Sequence, residues 1–312
     1  VLVELHPDDV HALHDLRKRA GLAEKNLPQL VVNDALPPGS VRVSAHDALV
    51  EDLITHRLAA IARAAASGAD VAMIARGGYG LTRLLPDLPY AAIAESVTQG
   101  TRWVGLSDFT AFQAAVYAKT GAVTWQGPDV VADFGAADGP NDIMQACFED
   151  LLLGQGEGTG WRLPAAEARP DGWEASGRIW GGNLSILCNL LGTPYFPAIK
   201  GGILFVEDIG EHPYRIERML TQLLHAGVLG RQKALVLGQF SNYKLVSGHD
   251  KGFRLATVVE WLRNQLAIPV FTGLPFGHVA TKVLLPFGAQ VDFSVQGREA
   301  MVLWGPLDGH TH

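Results

Sequence analysis

The stretch Trp103-Val104-Gly105-Leu106-Ser107-Asp108-Phe109-Thr110 decides the fold class, because a short apolar strand runs into a turn and then into a helix predicted to reach about Lys119. The same order recurs along the chain. Ala69–Ala75 is predicted to be a buried strand before the loop Arg76-Gly77-Gly78-Tyr79-Gly80, and Ile203–Val206 is a strand before another helix. Short buried strands that alternate with helices predict an α/β fold with a parallel sheet.

Two α/β domains are predicted from the length and from one change in composition. A chain of 312 residues commonly forms about two domains. Residues 154–172 are rich in Gly, Pro, Glu and Ala and show little periodicity, which predicts a linker. The first domain would then span residues 1–153, with helices at Asp47–Ala66 and Asp142–Leu153. The second would span residues 173–312 and end in a strand-rich segment.

Composition excludes several classes of protein. With 48% hydrophobic and 18% charged residues, the chain can bury a sizeable core and is neither disordered nor a coiled coil. The formal net charge is −7 and basic runs are absent, so nucleic acid and anionic membranes are poor candidate partners. The sequence has no apolar run of about 18 residues and no signal-peptide pattern at its start. Two cysteines make no disulfide framework, which suits a reducing compartment without proving one.

A serine follows the strand quoted above, at the edge of the sheet where ligands collect in open α/β folds. The turn around Ser107 resembles a nucleophile elbow, but Phe109 occupies the position of the second glycine in G-x-S-x-G. Taken alone, this motif favours a simpler interpretation in which Ser107 or Thr110 caps the helix.

Carboxylates and a histidine follow two further strands. Val206-Glu207-Asp208-Ile209-Gly210-Glu211 brings three carboxylates to a strand end, and the spacing does not choose which of them would orient an imidazole. In Leu274-Pro275-Phe276-Gly277-His278, the glycine permits a sharp turn that exposes the histidine, although a lone histidine is a weak signal. The order Ser, Glu, His nevertheless points to acyl transfer.

Two other motifs carry residue types that can bind a ligand. The glycine loop Arg76–Gly80 can offer backbone N–H groups to a phosphate, an oxyanion or a carboxylate, or it can be a tight turn. It lacks both common phosphate-loop patterns. His6, His11 and His14 lie near Asp8 and Asp9, but we expect an exposed helix start there rather than a metal site.

Together the motifs resemble the murein tetrapeptide LD-carboxypeptidases, serine peptidases of bacterial cell-wall recycling. The resemblance covers about residues 60 to 305 and rests on five stretches in the same order: Arg76–Gly80 with Arg83-Leu84-Leu85, Gly105–Thr110, Trp180-Gly181-Gly182-Asn183-Leu184, Leu204–Leu220 and Gly273–His278. Five ordered motifs are far more specific than one, and they favour a catalytic role for Ser107.

The resemblance implies a role for each matching residue. Ser107 would be the nucleophile, His278 the general base and Glu207 the carboxylate that orients the histidine. The oxyanion would be held by the backbone N–H groups of Asp108 and Gly78.

The same resemblance implies a substrate and a setting. The substrate would be a murein tetrapeptide that loses its terminal D-alanine, with no metal or organic cofactor, in a cytoplasmic homodimer. Arg76 is a candidate for binding the substrate's terminal carboxylate; the alternative is that it is a solvated surface residue. Asn183, which is also predicted to cap a helix, is a second candidate for substrate binding.

One departure and two rival functions accompany the resemblance. Residues 1–55 lack the strand and Ala-Pro-Ser-Gly turn with which the family usually begins; neither His6–Arg19 nor Pro37-Pro38-Gly39 matches the pattern. A microcin-immunity-type hydrolase of the same fold would act on a peptidyl or aminoacyl nucleotide and would carry an aromatic clamp, for which Trp180 or Tyr214 is available. A non-catalytic module that binds cell-wall fragments would use Ser107 only as a cap.

Overall fold

The computed structural model describes residues 2–11, 29–36, 40–45, 48–52 and 54–305. His14, Arg19, the Pro37–Gly39 turn and Asp47 lie outside these residues. Within the described part, no helix is long and apolar enough to cross a membrane. Cys147 and Cys188 are both free thiols.

The described residues form fifteen strands and eight α-helices in largely alternating order. The strands are β1 Leu2–Leu5, β2 Gln29–Val32, β3 Val41–Ala45, β4 Ala48–Asp52, β5 Val71–Met73, β6 Arg102–Gly105, β7 Thr124–Gln126, β8 Gly158–Arg162, β9 Arg169–Asn183, β10 Ile203–Ile209, β11 Ala234–Ser241, β12 Val270–Phe271, β13 Leu285–Phe287, β14 Gln290–Gly297 and β15 Glu299–Leu303. The helices are α1 Ile54–Ala66, α2 Tyr90–Thr98, α3 Thr110–Thr120, α4 Asp142–Leu153, α5 Leu184–Leu190, α6 Pro213–His225, α7 Ser247–Asp250 and α8 Leu255–Gln265. The prediction of an α/β fold is confirmed.

The N-terminal strands form a sheet of their own, in the order β2-β1-β3-β4. The prediction of a helix from Asp47 was wrong at its start, because Ala48–Asp52 pairs with β3 in antiparallel register. The helix begins only at Ile54, whose backbone N–H donates to the Ser40 hydroxyl at 3.1 Å. A hydroxyl that accepts from the first turn stabilises a helix start there.

A second sheet, in the order β13-β7-β6-β5, positions the serine turn. β5, β6 and β7 are parallel, and β13 adds to β7 in antiparallel register. Helix α3 follows β6 and is buried on most sides. Its Phe112 ring stacks on Phe109 and tilts against Trp103, with centroids 4.6 and 5.1 Å apart. This aromatic packing fixes the helix directly behind Ser107.

The third sheet has seven strands in the order β12-β11-β10-β9-β14-β15-β8. β9 to β12 run parallel, while β14, β15 and β8 are antiparallel. Residues 154–172, which were predicted to link two domains, include regular strands. They contain β8 and the start of β9, because Gly158–Arg162 finds its hydrogen-bond partners in β15, about 140 residues away.

One strand crosses the proposed boundary between the two domains. β13 comes from the C-terminal half of the chain but lies in the sheet of β5, β6 and β7. The boundary after residue 153 therefore does not separate the sheets completely, and the chain segment just before β13 is tied to the serine-bearing sheet.

Candidate active site

Ser107 stands directly after β6 in a strained backbone conformation. Its φ is +61°, in the left-handed region that non-glycine residues adopt at a cost of about 1–3 kcal/mol. Neither the 3₁₀ turn Ser107–Phe109 nor helix α3 has a side-chain hydrogen bond at its N-cap. The Thr110 hydroxyl instead accepts from Gln126 Nε2 and from the backbone N–H of Asn183, at 3.1 and 3.0 Å. The capping interpretation therefore does not account for this turn.

The glycine loop contacts Ser107 through Gly77. A Cβ added at Gly77 would lie 2.8 Å from Ser107 Cβ, 2.9 Å from the Leu106 carbonyl oxygen and 3.4 Å from Ser107 Oγ. A Cβ at Gly78 would meet nothing within 4 Å. The predicted loop therefore lies against Ser107, and its residue in contact with the serine is Gly77; the role of the Gly78 N–H stays a prediction. Arg76 is exposed on the same loop.

Glu207 and His278 form a hydrogen-bonded pair. His278 Nδ1 lies 2.8 Å from Glu207 Oε2; the carboxylate is fully buried and the imidazole is 20% exposed. Gly277 has a φ of +134°, and a Cβ there would stand 3.2 Å from Glu207 Oε2. Glycine at this position therefore lets the histidine loop approach the carboxylate.

The other two carboxylates of the strand end have different partners. Asp208 accepts hydrogen bonds from the Ser185 backbone N–H and hydroxyl at 3.0 and 2.6 Å. Glu211 pairs with Arg215 on the first turn of α6. Of the three candidates that the spacing left open, Glu207 is the one that contacts His278.

Charges from both sheets act on the pair and on the serine turn. Burial alone would lower the pKa of His278, but the hydrogen bond and charge of Glu207 raise it above its ordinary value; Asp208 adds to this rise and Lys282 opposes it. Burial also raises the pKa of Asp108, the residue next to Ser107; Asp208 reinforces that rise and His278 opposes it. Asp208 and the imidazole of His278 thus both act on the pKa of Asp108, which adjoins Ser107.

Asn183 connects the serine helix to the Glu–His pair. It lies opposite Glu207 in the parallel register of β9 and β10. Its side-chain Nδ2 donates to Glu207 Oε1 at 3.3 Å and to Asp208 Oδ1 at 3.0 Å, and its Oδ1 accepts from the Ile186 N–H, capping α5 as predicted. Since Asn183 is only 5% exposed, its polar atoms are committed to protein partners rather than to substrate. Sequence reasoning missed this bridge, because only the strand register creates it.

The two aromatic clamp candidates differ in accessibility. Trp180 is buried, and its Nε1 donates to Gln232 Oε1 at 3.1 Å, so it packs the core. Tyr214 is 46% exposed at the start of α6, with its ring centroid 4.4 Å from that of His212. Within the described part of the chain, no three metal-ligating side chains are grouped to hold an ion, and the His6 ring lies 3.5 Å from Asp8.

Family models of the LD-carboxypeptidase N-terminal and C-terminal domains match residues 20–127 and 176–293. This chain belongs to the LD-carboxypeptidase family. The N-terminal match begins at residue 20 and so extends the resemblance, which we expected over about residues 60 to 305, towards the N-terminus. Membership makes the chain a peptidase of the hydrolase class, as predicted.

Individual LD-carboxypeptidase relatives cover most of the chain. A putative carboxypeptidase of Synechocystis sp. is 34% identical, over 70% of this chain and 68% of its own length. A probable murein peptide carboxypeptidase of Bacillus subtilis is 31% identical, over 76% and 72%. The crystal structure of a muramoyltetrapeptide carboxypeptidase from Oxalobacter formigenes is 36% identical, covers 97% of this chain and 98% of its own, and has a TM-score of 0.74. The Escherichia coli microcin C7 self-immunity protein is 29% identical, over 70% and 69%.

Proposed function

We propose that this LD-carboxypeptidase is a serine peptidase that releases the terminal D-alanine from murein tetrapeptides, with Ser107, His278 and Glu207 as its catalytic residues. The observation that carries the proposal is the buried Glu207 carboxylate, which is bonded to His278 Nδ1 at 2.8 Å and is joined through Asn183 to Thr110 of the serine helix. A solvated surface histidine would have no need of a fully buried carboxylate partner.

The Glu–His bond determines which imidazole nitrogen can act as a base. With the proton of the neutral ring on Nδ1 and donated to Glu207, the Nε2 lone pair is left to accept the Ser107 proton as Oγ attacks the peptide carbonyl. The protonated imidazole then gives that proton to the departing D-alanine amine. The resulting ester is hydrolysed by water, with His278 again acting as the base.

The negative oxygen of the tetrahedral intermediate would lie at the N-terminal end of the serine helix. The Asp108 N–H and one glycine N–H of the Arg76–Gly80 loop would donate to it, assisted by the helix dipole of α3. Gly77 is the loop glycine in contact with Ser107, while Gly78 is our predicted donor. The exposed guanidinium of Arg76 would anchor the substrate's terminal carboxylate.

The names of relatives support the substrate class. The Bacillus subtilis relative is described as a probable murein peptide carboxypeptidase and the Oxalobacter formigenes structure as a muramoyltetrapeptide carboxypeptidase. We further propose that the protein acts in the bacterial cytoplasm as a homodimer.

A microcin-type hydrolase is the second candidate, because one relative is a microcin C7 self-immunity protein and Tyr214 offers an exposed ring. In the test, the protein is incubated with a murein tetrapeptide and, separately, with a peptidyl nucleotide. The released D-alanine or nucleotide is then measured. We expect D-alanine release that Ser107→Ala abolishes. Cleavage of the nucleotide alone would favour the second candidate. Tetrapeptide binding without cleavage, and without fluorophosphonate labelling of Ser107, would indicate a binding module.

A further inference from the structure

A buried ion pair lies close to His278 and outside the proposed catalytic residues. Lys282 Nζ donates to Asp133 Oδ1 at 2.5 Å, and the two side chains are only 4% and 7% exposed. Removing two charges from water costs several kcal/mol for each ion, and replacing such a pair by apolar residues often leaves the protein equally stable. Stability alone therefore does not explain why a buried ion pair is present here.

On one side, the pair holds the loop that carries His278. The Val283 N–H donates to the Pro275 carbonyl at 2.8 Å and closes this loop, so Lys282 lies at its base, four residues after the histidine. Three residues beyond Lys282, at Leu285, the chain joins β7 as β13. The ion pair of Lys282 thus holds the end of the histidine loop, just before the chain enters the serine-bearing sheet.

On the other side, the pair holds the segment that supports the glycine loop. Asp133 Oδ2 accepts from the Asp129 N–H at 2.9 Å within the single π-helical turn Val130–Phe134. The N–H groups of Val130 and Val131 donate to the carbonyls of Ile74 and Ala75, at 3.1 and 2.9 Å. These two residues lead directly into the loop whose Gly77 presses on Ser107.

We infer that Lys282 and Asp133 are positioning residues for catalysis, which fix the loop of His278 relative to the loop that contacts Ser107. The inference rests on the proposed function only for the identity of the reacting groups. A general base must lie within about 3.2 Å of its proton donor, and a misplacement of about 1 Å can cost about 100-fold in rate. The histidine loop begins after β12 of the seven-stranded sheet and the glycine loop after β5 of the serine-bearing sheet, so they need a rigid connection to keep that tolerance, and this pair supplies one.

The test compares Lys282→Met, Asp133→Asn and the conservative Lys282→Arg. For Lys282→Met and Asp133→Asn we expect kcat for tetrapeptide cleavage to fall about 10- to 100-fold with KM changed less than about threefold, while Lys282→Arg retains most activity. The double variant Asp133→Asn/Lys282→Met leaves no unpaired charge, so it keeps the comparison available if a single variant does not fold. Its kcat should be no lower than that of either single variant.

The pH profile separates positioning from the charge of Lys282. The charged groups that act on His278 are Glu207 and Asp208, with Asp108 on the serine turn, and Lys282 is the opposing cation. Lys282→Met should therefore move the acid limb of kcat to higher pH and also lower the plateau. A shifted limb with an unchanged plateau would overturn the inference, because charge alone would then explain the effect.

A matched control removes the partner of another buried carboxylate. Arg263→Met takes the guanidinium from Glu167, which is 7% exposed and lies 2.6 Å away near the edge strand β12. We expect it to lower the melting temperature without lowering kcat. Equal losses of kcat in Arg263→Met and Lys282→Met at equal losses of melting temperature would reduce the pair to a structural role and refute the inference.

The rate of Ser107 labelling by a fluorophosphonate keeps the two proposals distinguishable. It depends on the serine and its base but not on the natural substrate. If the wild-type protein is labelled at Ser107 yet does not cleave tetrapeptide, the proposed substrate fails while the inference is still tested. Labelling of Lys282→Met should then be about 10-fold slower than wild type, and equal rates would refute the inference.

Discussion

Replacing Glu207 by Gln tests the geometry of the site with a change of one functional group. In the wild type, Oε1 accepts from Asn183 Nδ2 at 3.3 Å and Oε2 contacts His278 Nδ1 at 2.8 Å. The side-chain oxygen of the introduced glutamine can keep the bond to Asn183, which leaves its NH₂ group facing His278. An NH₂ group can only donate, so the neutral imidazole must then carry its proton on Nε2.

That tautomer has no lone pair facing the serine, so the expected loss of kcat is large. In a serine protease with a Ser–His–Asp triad, holding the imidazole in the wrong tautomer lowers kcat about 10⁴-fold. We expect a loss of about 10³- to 10⁴-fold in Glu207→Gln, with KM changed little. The pKa of His278 should also fall, because the hydrogen bond and charge that raise it are lost while burial still lowers it.

The assays are D-alanine release over a range of pH and ¹⁵N NMR of the imidazole. Glu167→Gln is the matched control, since it neutralises another buried carboxylate, one that accepts from the Thr272 N–H and hydroxyl. A Glu207→Gln variant with more than about a tenth of wild-type kcat, or with an unchanged His278 pKa and tautomer, would refute the reasoning.

Three further outcomes are expected. First, the rate of cleavage should fall as the pH drops through the pKa of His278, which is raised above its ordinary value of 6.5. An acid limb of the kcat/KM pH profile that lies below pH 6.5 would contradict this raised pKa. The same group should stabilise the fold fully below its unfolded pKa and lose this contribution as pH rises through its folded pKa, which urea unfolding of wild type and His278→Gln would measure. Second, Gly77→Ala should lower kcat at least about 10-fold, because its Cβ would stand 2.8 Å from Ser107 Cβ, whereas Gly78→Ala meets no atom within 4 Å and should lose less; equal kcat values would contradict this contact. Third, Asn183→Ala removes one donor each from the buried carboxylates of Glu207 and Asp208, and should destabilise the protein by about 1–3 kcal/mol in thermal unfolding; an unchanged melting temperature would show that this bridge contributes nothing.

Local patterns in the sequence predicted the elements that flank the site. Asn183 was predicted to cap α5, and its side-chain oxygen accepts from the Ile186 N–H. After Pro213, the sequence places Ile216, Leu220 and Leu223 at the spacing of one helical face, and all three are buried in α6. Such signals depend on neighbours within a few residues, so they are legible in one sequence.

Features that depend on distant partners were not predictable in this way. β8 is held by β15, and β13 by β7, so neither Gly158–Arg162 nor Leu285–Phe287 carries a local signal for its place in a sheet. The choice of Glu207 over Asp208 and Glu211 likewise depends on the register of β9 and β10 and on the close approach of Gly277. The Lys282–Asp133 pair joins residues 149 apart in sequence.

The most direct measurement is a crystal structure of the protein after reaction with a fluorophosphonate. We expect phosphorus bonded to Ser107 Oγ, with His278 Nε2 within about 3.2 Å of that oxygen and Nδ1 still bonded to Glu207. An adduct on another residue, or a His278 ring directed away from a labelled Ser107, would contradict the claim that one hydroxyl, one imidazole and one buried carboxylate act together.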